Sequence, residues 1–125
     1  MKEITIYHNK KCSKSREALE ILQSKGFNPV IIEYLKTPLN IEQLIALKRH
    51  FSLSEFVRTN EHPFKALGLS LNDETKVLQA MLKEPILMQR PIVTYNDKAI
   101  IARPPEKVLE LIEQALDPLA KSFKK

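Results

Sequence analysis

The chain opens on a short β-rich run, Ile4 to Tyr7, and passes into a polar loop from His8. Ser15, Ala18, Leu19 and Leu22 then recur at helical spacing. Gly26 stands where a helix C-cap is wanted, Pro29 follows, and Val30, Ile31 and Ile32 read as a second strand. Strand, helix and strand in that order form a βαβ unit, parallel and right-handed in nearly all cases. From about Pro38 to Pro85 only helical patterns occur. Asn40 with Gln43 forms a capping box ahead of Leu44, Ile45 and Leu47, and Asn72 and Asp73 are candidate caps for a helix carrying Val77, Leu78, Met81 and Leu82. After Pro85 the period changes. Ile92 to Thr94, a turn over Tyr95, Asn96, Asp97 and Lys98, and then Ala99 to Ala102 read as an antiparallel hairpin. Pro104 and Pro105 suit the first turn of a closing helix whose apolar stripe is Val108, Leu109, Ile112, Ala115 and Leu116. The Lys-rich tail from Lys121 is expected to fray. The order βαβ, helical insertion, ββα predicts an α/β protein of thioredoxin-like fold with a mixed four-stranded sheet. Residues 1–125 form a single domain with an insertion at about 38–85.

Composition narrows the class. At 125 residues, 43% hydrophobic and 28% charged, the chain has ordinary globular character and can bury roughly two thirds of its extended surface without metal or disulfide staples. The single cysteine closes no internal disulfide. Twenty Lys plus Arg against 15 Asp plus Glu give a formal charge of +5, which favours anionic partners. Nucleic acid is not expected among them, because Lys48, Arg49 and the tail lysines are scattered and lack an aromatic platform. MKEITIYHNKKC carries no apolar core of a secretory signal, and no apolar run approaches the ~20 residues that span a bilayer. A cytoplasmic protein without a membrane partner is expected, and in that reducing compartment a lone cysteine is either a packing residue or a working thiol.

Cys12 lies between the first strand and first helix, beside Lys10, Lys11, Lys14 and Arg16. An ordinary thiol of pKa ~8.5 is only about 3% ionised at pH 7. A helix N-terminus contributes ~0.3–1 kcal/mol toward the thiolate, too little alone, so a cation must assist. Arg16, four residues on, and a protonated His8 are the local candidates. Polar, basic neighbours argue against Cys12 as buried filler. A metal site is disfavoured because His50 and His62 are scattered and read as surface residues. A phosphatase-type loop separates Cys and Arg by five residues, whereas three separate Cys12 from Arg16.

Three further arginines stand at element boundaries: Arg58 in VRTNE, Arg90 before Pro91 and Arg103 before Pro104. Residues before proline are held extended, so Arg90 and Arg103 sit on stiff backbone beside the hairpin strands. Pre-organised guanidiniums make good oxyanion clamps, although each arginine taken singly is better explained as a solvated or ion-paired surface residue. Spacing alone does not bring them together.

YHNKKCSKSR, VRTNE, QRPIV and ARPPEKVLELI resemble, in the same order, the four signature regions of the glutaredoxin-linked arsenate reductase family, and the resemblance runs from Ile4 to about Leu116. It implies a thioredoxin-like fold and reduction of arsenate to arsenite with glutathione and glutaredoxin as partners. A monomer with no bound cofactor or metal is expected. By matching positions, Cys12 corresponds to the nucleophile, His8 to the histidine assisting thiolate formation, and Ser15 and Arg16 to the Ser-Arg pair after it. Arg58, Arg90 and Arg103 correspond to the oxyanion-binding arginines, and Pro91 to the cis proline. Lys10 departs from the family's HNPxC pattern, where proline is common at that position, and its presence is expected to loosen the loop while adding a cation.

Arsenate reduction takes two electrons, and one thiol supplies only one of the two sulfurs required. With no second cysteine in the chain, the other thiol must diffuse in, as glutathione does. Two rivals remain. One is a thioredoxin-fold redox regulator that contacts RNA polymerase, whose usual CxxC is here broken by Ser15 in place of the second cysteine. The other is a general glutathione-dependent thiol oxidoreductase, which needs Cys12 but not three guanidiniums.

Overall fold

The computed structural model describes residues 3–116. They fall into two compact units: the chain up to Ile32 with the chain from Arg90 onward, and the segment Glu33–Gln89.

The first unit is built on four strands. β1 (Ile4–Tyr7) leads through a turn into α1 (Ser13–Ser24), and β2 (Val30–Ile32) returns parallel to β1, pairing Thr5 with Val30 and Tyr7 with Ile32. β3 (Ile92–Tyr95) runs antiparallel to β1, with Ile6 opposite Val93, and β4 (Lys98–Ile101) closes the sheet in the order β2-β1-β3-β4. α6 (Val108–Leu116) follows. This mixed sheet in the predicted order is the thioredoxin-like fold.

Period-2 alternation along β1 buries Ile4 and Ile6 on one face. They pack with Val93 and Ala102, Ala18 and Leu22 of α1, and Val108, Leu111 and Ile112 of α6. Each Val, Leu or Ile among them contributes about 1.5–3 kcal/mol through water exclusion. α1 ends as the sequence predicts. Gly26 takes φ +89, its N–H bonds the Gln23 C=O at 3.0 Å, and the Phe27 N–H bonds the Leu22 C=O at 3.0 Å, which together make a Schellman motif. Phe27 then packs on the same core and meets the Tyr95 ring edge-on at 6.4 Å.

The hairpin turn is as expected, with Tyr95 paired to Lys98 and Asn96 and Asp97 at its centre, Asn96 at φ 57. Two readings are corrected in this unit. The prolines precede the closing helix instead of starting it, because Pro105–Lys107 forms a 3₁₀ turn and α6 begins at Val108. Leu111 is buried, and Leu109, read as part of the stripe, is only partly so. The Ala115 and Leu116 side chains and the tail from Lys121 lie outside what is described.

In the second unit, α2 (Ile41–Lys48) carries the predicted capping box, with Asn40 Oδ1 accepting the Gln43 N–H at 2.8 Å and Gln43 Oε1 accepting the Asn40 N–H at 2.9 Å. α5 (Glu74–Lys83) is capped by Asp73, not Asn72; Asp73 Oδ1 accepts the Lys76 N–H at 3.1 Å. Between them lie two short helices, α3 (Leu53–Phe56) and α4 (His62–Ala66), too brief to show a period. The segment is not purely helical: Val57 bridges Met88 in antiparallel fashion, with the Arg58 N–H on the Leu87 C=O at 2.7 Å. Its interior holds Tyr34, Leu44, Phe56, Val77, Met81 and Leu87.

Candidate active site around Cys12

Cys12 is the N-cap of α1, in extended conformation (φ −96, ψ 121), so its sulfur sits at the helix's N–H end. The approach to it is a closed turn. Asn9 C=O accepts the Cys12 N–H at 2.9 Å, and Asn9 Oδ1 accepts the Lys11 N–H at 3.0 Å. Ser15 Oγ accepts the Asn9 N–H at 3.1 Å, tying the turn to the helix it precedes. Arg16 Nη1 donates to the Lys10 C=O at 2.8 Å from the outer side. The expectation that Lys10 in place of proline loosens the loop is thus offset: side chains supply the bracing that a fixed φ would have given. Asn9 was not singled out in the sequence reading, although its habit of forming such turns is the available signal.

Ser15 has no exposed surface, and its hydroxyl also bonds His8 Nδ1 at 2.6 Å; His8 is itself buried. The His8 ring therefore engages Ser15, which positions the turn. Arg16 is exposed and engages a loop carbonyl. The cationic charge that draws the thiol toward its ionised form is that of Arg90.

That cation comes from the hairpin. Ile92 and Ile101 are the last pair at its open end, and the Ala102 N–H bonds the Pro91 C=O at 2.9 Å, so Arg90 and Arg103 leave adjacent strands side by side. Both bonds into the following prolines, Arg90–Pro91 and Arg103–Pro104, are cis; the second was not anticipated. Arg103 Nε donates to the Arg90 C=O at 2.7 Å, which orients its guanidinium so that Nη2 lies 3.7 Å from Cys12 Sγ.

Contrary to its polar sequence context, Cys12 is buried, with 8% of its surface exposed. Burial pushes the thiol pKa up, but the Ser15 N–H, the Arg90 charge, the Lys14 N–H and a hydrogen bond from the Arg90 side chain pull it down. The outcome is a thiol held below its ordinary value.

Arg58 lies in the second unit, where its Nη2 pairs with Glu61 at 2.8 Å and its Nη1 reaches the Ile86 C=O at 3.5 Å. His50 and His62 are exposed, as expected. Among the described residues no group of three or more His, Cys, Asp or Glu side chains could hold a metal ion, and no helix is long and apolar enough to cross a membrane.

A thioredoxin-like sheet with one ionisable sulfur at the head of its first helix and two guanidiniums beside it defines a thiol-bearing protein of the thioredoxin-like class. Within that class the sequence matches the ArsC family over residues 7–111. It is 44% identical over 117 residues to the uncharacterized protein YfgD of Escherichia coli K12, covering 89% of this chain and 98% of that one. It is 39% identical over 119 residues to an arsenate reductase of the same organism, covering 92% and 84%. Among solved structures, an arsenate reductase from Vibrio cholerae superposes with a TM-score of 0.80 at 40% identity, over 86% of this chain and 96% of the other. The chain belongs to the ArsC family.

Proposed function

We propose that this protein is an arsenate reductase that works through the Cys12 thiolate, with glutathione and glutaredoxin as electron donors. The observation that carries the proposal is the sulfur at the α1 N-terminus with its pKa held down and Arg103 Nη2 at 3.7 Å. An ionised nucleophile beside a guanidinium fork is what attack on a tetrahedral oxyanion requires. Curated relatives described as arsenate reductases supply the substrate.

In the proposed cycle arsenate docks on Arg90 and Arg103, and the Cys12 thiolate attacks arsenic(V) as one oxygen leaves as water. Glutathione then attacks the Cys12 sulfur. The As–S bond breaks with its electron pair on arsenic, releasing arsenite and leaving a mixed disulfide between Cys12 and glutathione. Two thiols have supplied two electrons, and glutaredoxin restores the Cys12 thiol by exchange. His8 and Ser15 keep the turn in the geometry that presents the sulfur, and Arg16 braces it from outside. Arg58 enters through the family resemblance alone, as a third anion-binding arginine that must give up Glu61 to act.

The test measures arsenite formation with glutathione and glutaredoxin supplied. Wild type should turn over, Cys12→Ser should not, and Arg90→Lys should lose most activity because it keeps charge but not the fork. Wild-type protein that yields no arsenite, or a Ser variant that keeps its rate, would overturn the proposal. Activity on mixed disulfides alone, undiminished by removal of the arginines, would point instead to a general thiol oxidoreductase.

A further inference from the structure

Arg103 is anchored at one nitrogen and offers the others. Its Nε donates to the Arg90 C=O at 2.7 Å, and its Nη2 faces Cys12 Sγ at 3.7 Å. Among the described residues no carboxylate pairs with it, whereas Arg58 is held by Glu61 at 2.8 Å. The backbone that presents the anchoring carbonyl is tied to the opposite strand, because the Ala102 N–H bonds the Pro91 C=O at 2.9 Å. A charged and preset N–H donor therefore stands within hydrogen-bond reach of an oxygen added to the sulfur on that side. The sulfur itself is surrounded by groups that favour its ionised form: the Ser15 and Lys14 N–H groups and the Arg90 guanidinium. Reduction of a peroxide asks for the same set. It needs an ionised sulfur, a donor for the oxygen that departs with the electron pair, and an opening for two oxygen atoms; 8% of Cys12 remains exposed.

We propose that the Cys12 site also reduces hydrogen peroxide, with Arg103 stabilising the oxygen that leaves from the O–O bond and glutathione completing the turnover. The inference rests on Cys12 being the reacting thiol and on glutathione reaching it, as in the arsenate cycle, and adds a second class of oxidant to that site. The thiolate attacks one peroxide oxygen in line with the O–O bond. That bond breaks with its electron pair on the distal oxygen, which leaves as hydroxide hydrogen-bonded to Arg103 and takes up a proton to become water. The sulfur, oxidised by two electrons, is then a sulfenic acid. Glutathione attacks that sulfur, water leaves, and Cys12 carries the same mixed disulfide that arsenate reduction produces. A second glutathione, directly or through glutaredoxin, displaces it as glutathione disulfide. In sum, one peroxide and two glutathiones become two waters and one glutathione disulfide. The single cysteine of the chain suits this order, since no second thiol of its own competes for the sulfenic acid.

The reduced full chain is mixed with hydrogen peroxide or with iodoacetamide at one pH, and loss of the free thiol is timed for each. N-acetylcysteine supplies the same pair of rates for a thiolate in water. The peroxide-to-iodoacetamide ratio cancels the thiolate fraction, so it reads how the site treats a departing oxygen. For wild type the ratio should exceed that of N-acetylcysteine by about 10²-fold, the typical effect of one donor on a developing oxyanion. Arg103→Lys and Arg103→Gln should each lower it by about tenfold or more. With glutathione present, steady-state turnover should consume two glutathiones per peroxide, and Cys12→Ser should show none. A wild-type ratio equal to that of the free thiol, which needs no variant to fold, or a ratio undiminished in both Arg103 variants, would overturn the proposal. The assay contains no arsenate. Arsenite production beside a free-thiol ratio therefore removes only the peroxide activity, a high ratio without arsenite production removes only the arsenate reading, and a Cys12 inert to both reagents removes both.

Discussion

Two opposing effects meet at the Cys12 sulfur, and their balance is measurable. Burial favours the neutral thiol; the Ser15 and Lys14 N–H groups and the Arg90 guanidinium favour the thiolate and prevail. Alkylation of Cys12 followed against pH should therefore inflect below the ordinary thiol value, and Arg90→Gln should move the inflection up. The same balance has a stability consequence whose sign is fixed. A thiol whose folded pKa is depressed stabilises the fold fully above its unfolded pKa, and that contribution is lost as pH falls through the folded value. The stability of wild type relative to Cys12→Ser, measured by urea unfolding, should accordingly rise as pH climbs from below the depressed value to the ordinary thiol range. Ser15→Ala tests the other half of the site. It strips the His8 ring and the Asn9 N–H of a buried partner, so it should cost about 1–3 kcal/mol. It should also slow alkylation at a pH where the thiol is already ionised, since the turn loses its tie to α1. From spacing, Ser15 is a polar residue on the apolar stripe of α1, and the family resemblance adds its place in the Ser-Arg pair; its bonds to His8 and Asn9 are visible in neither. The Arg90 charge at the sulfur is not legible in the sequence, where Arg16 and His8 are the near cations and sequence distance is the only distance available.

At the scale of single elements, short-range chemistry decided what could be read. β1 alternates, α1 closes on Gly26, and the Asn40 and Gln43 box starts α2, each fixed by residues within about one turn of each other. β2 shows the limit. Val30, Ile31 and Ile32 make a strand as read, but Val30 is 40% and Ile31 45% exposed, because the strand lies at the edge of the sheet and hydrophobicity does not report position within it. The short α3 and α4 lack enough residues for a period, and the bridge of Val57 to Met88 joins positions far apart in sequence. Gly26 offers a clean test of the capping argument. Nothing lies within 4 Å of an added Cβ, so Gly26→Ala meets only the backbone penalty of φ +89. Thermal unfolding should register a loss of roughly 1 kcal/mol. Leu22→Ala, which empties a core position, should lose about 2–5 kcal/mol.

Across the whole chain, what distinguishes this molecule is the joining of positions 91 residues apart: Arg103 reaches the sulfur of Cys12 only because β3 and β1 pair and the hairpin returns its second strand beside its first. No local pattern encodes that meeting, and read singly each arginine fitted a surface role as well. The same topology separates the work of the two residues. Arg90 acts on the thiol through its charge and a side-chain hydrogen bond, whereas Arg103 has its Nε bound to the Arg90 C=O at 2.7 Å, which leaves Nη2 3.7 Å from the sulfur. Lysine at position 103 has one nitrogen and cannot both hold that carbonyl and reach toward Sγ. Arg103→Lys should therefore leave the alkylation inflection of Cys12 nearly in place while lowering kcat/KM for arsenate by about 10²-fold, the loss typical of one misplaced donor to a developing oxyanion. Arg90→Gln should do the reverse in emphasis, raising the inflection, with turnover recovering in part as pH is raised to restore the thiolate. If both variants moved the inflection equally, the two guanidiniums would be one undivided positive patch, and the hairpin's separate anchoring of Arg103 would have no catalytic consequence.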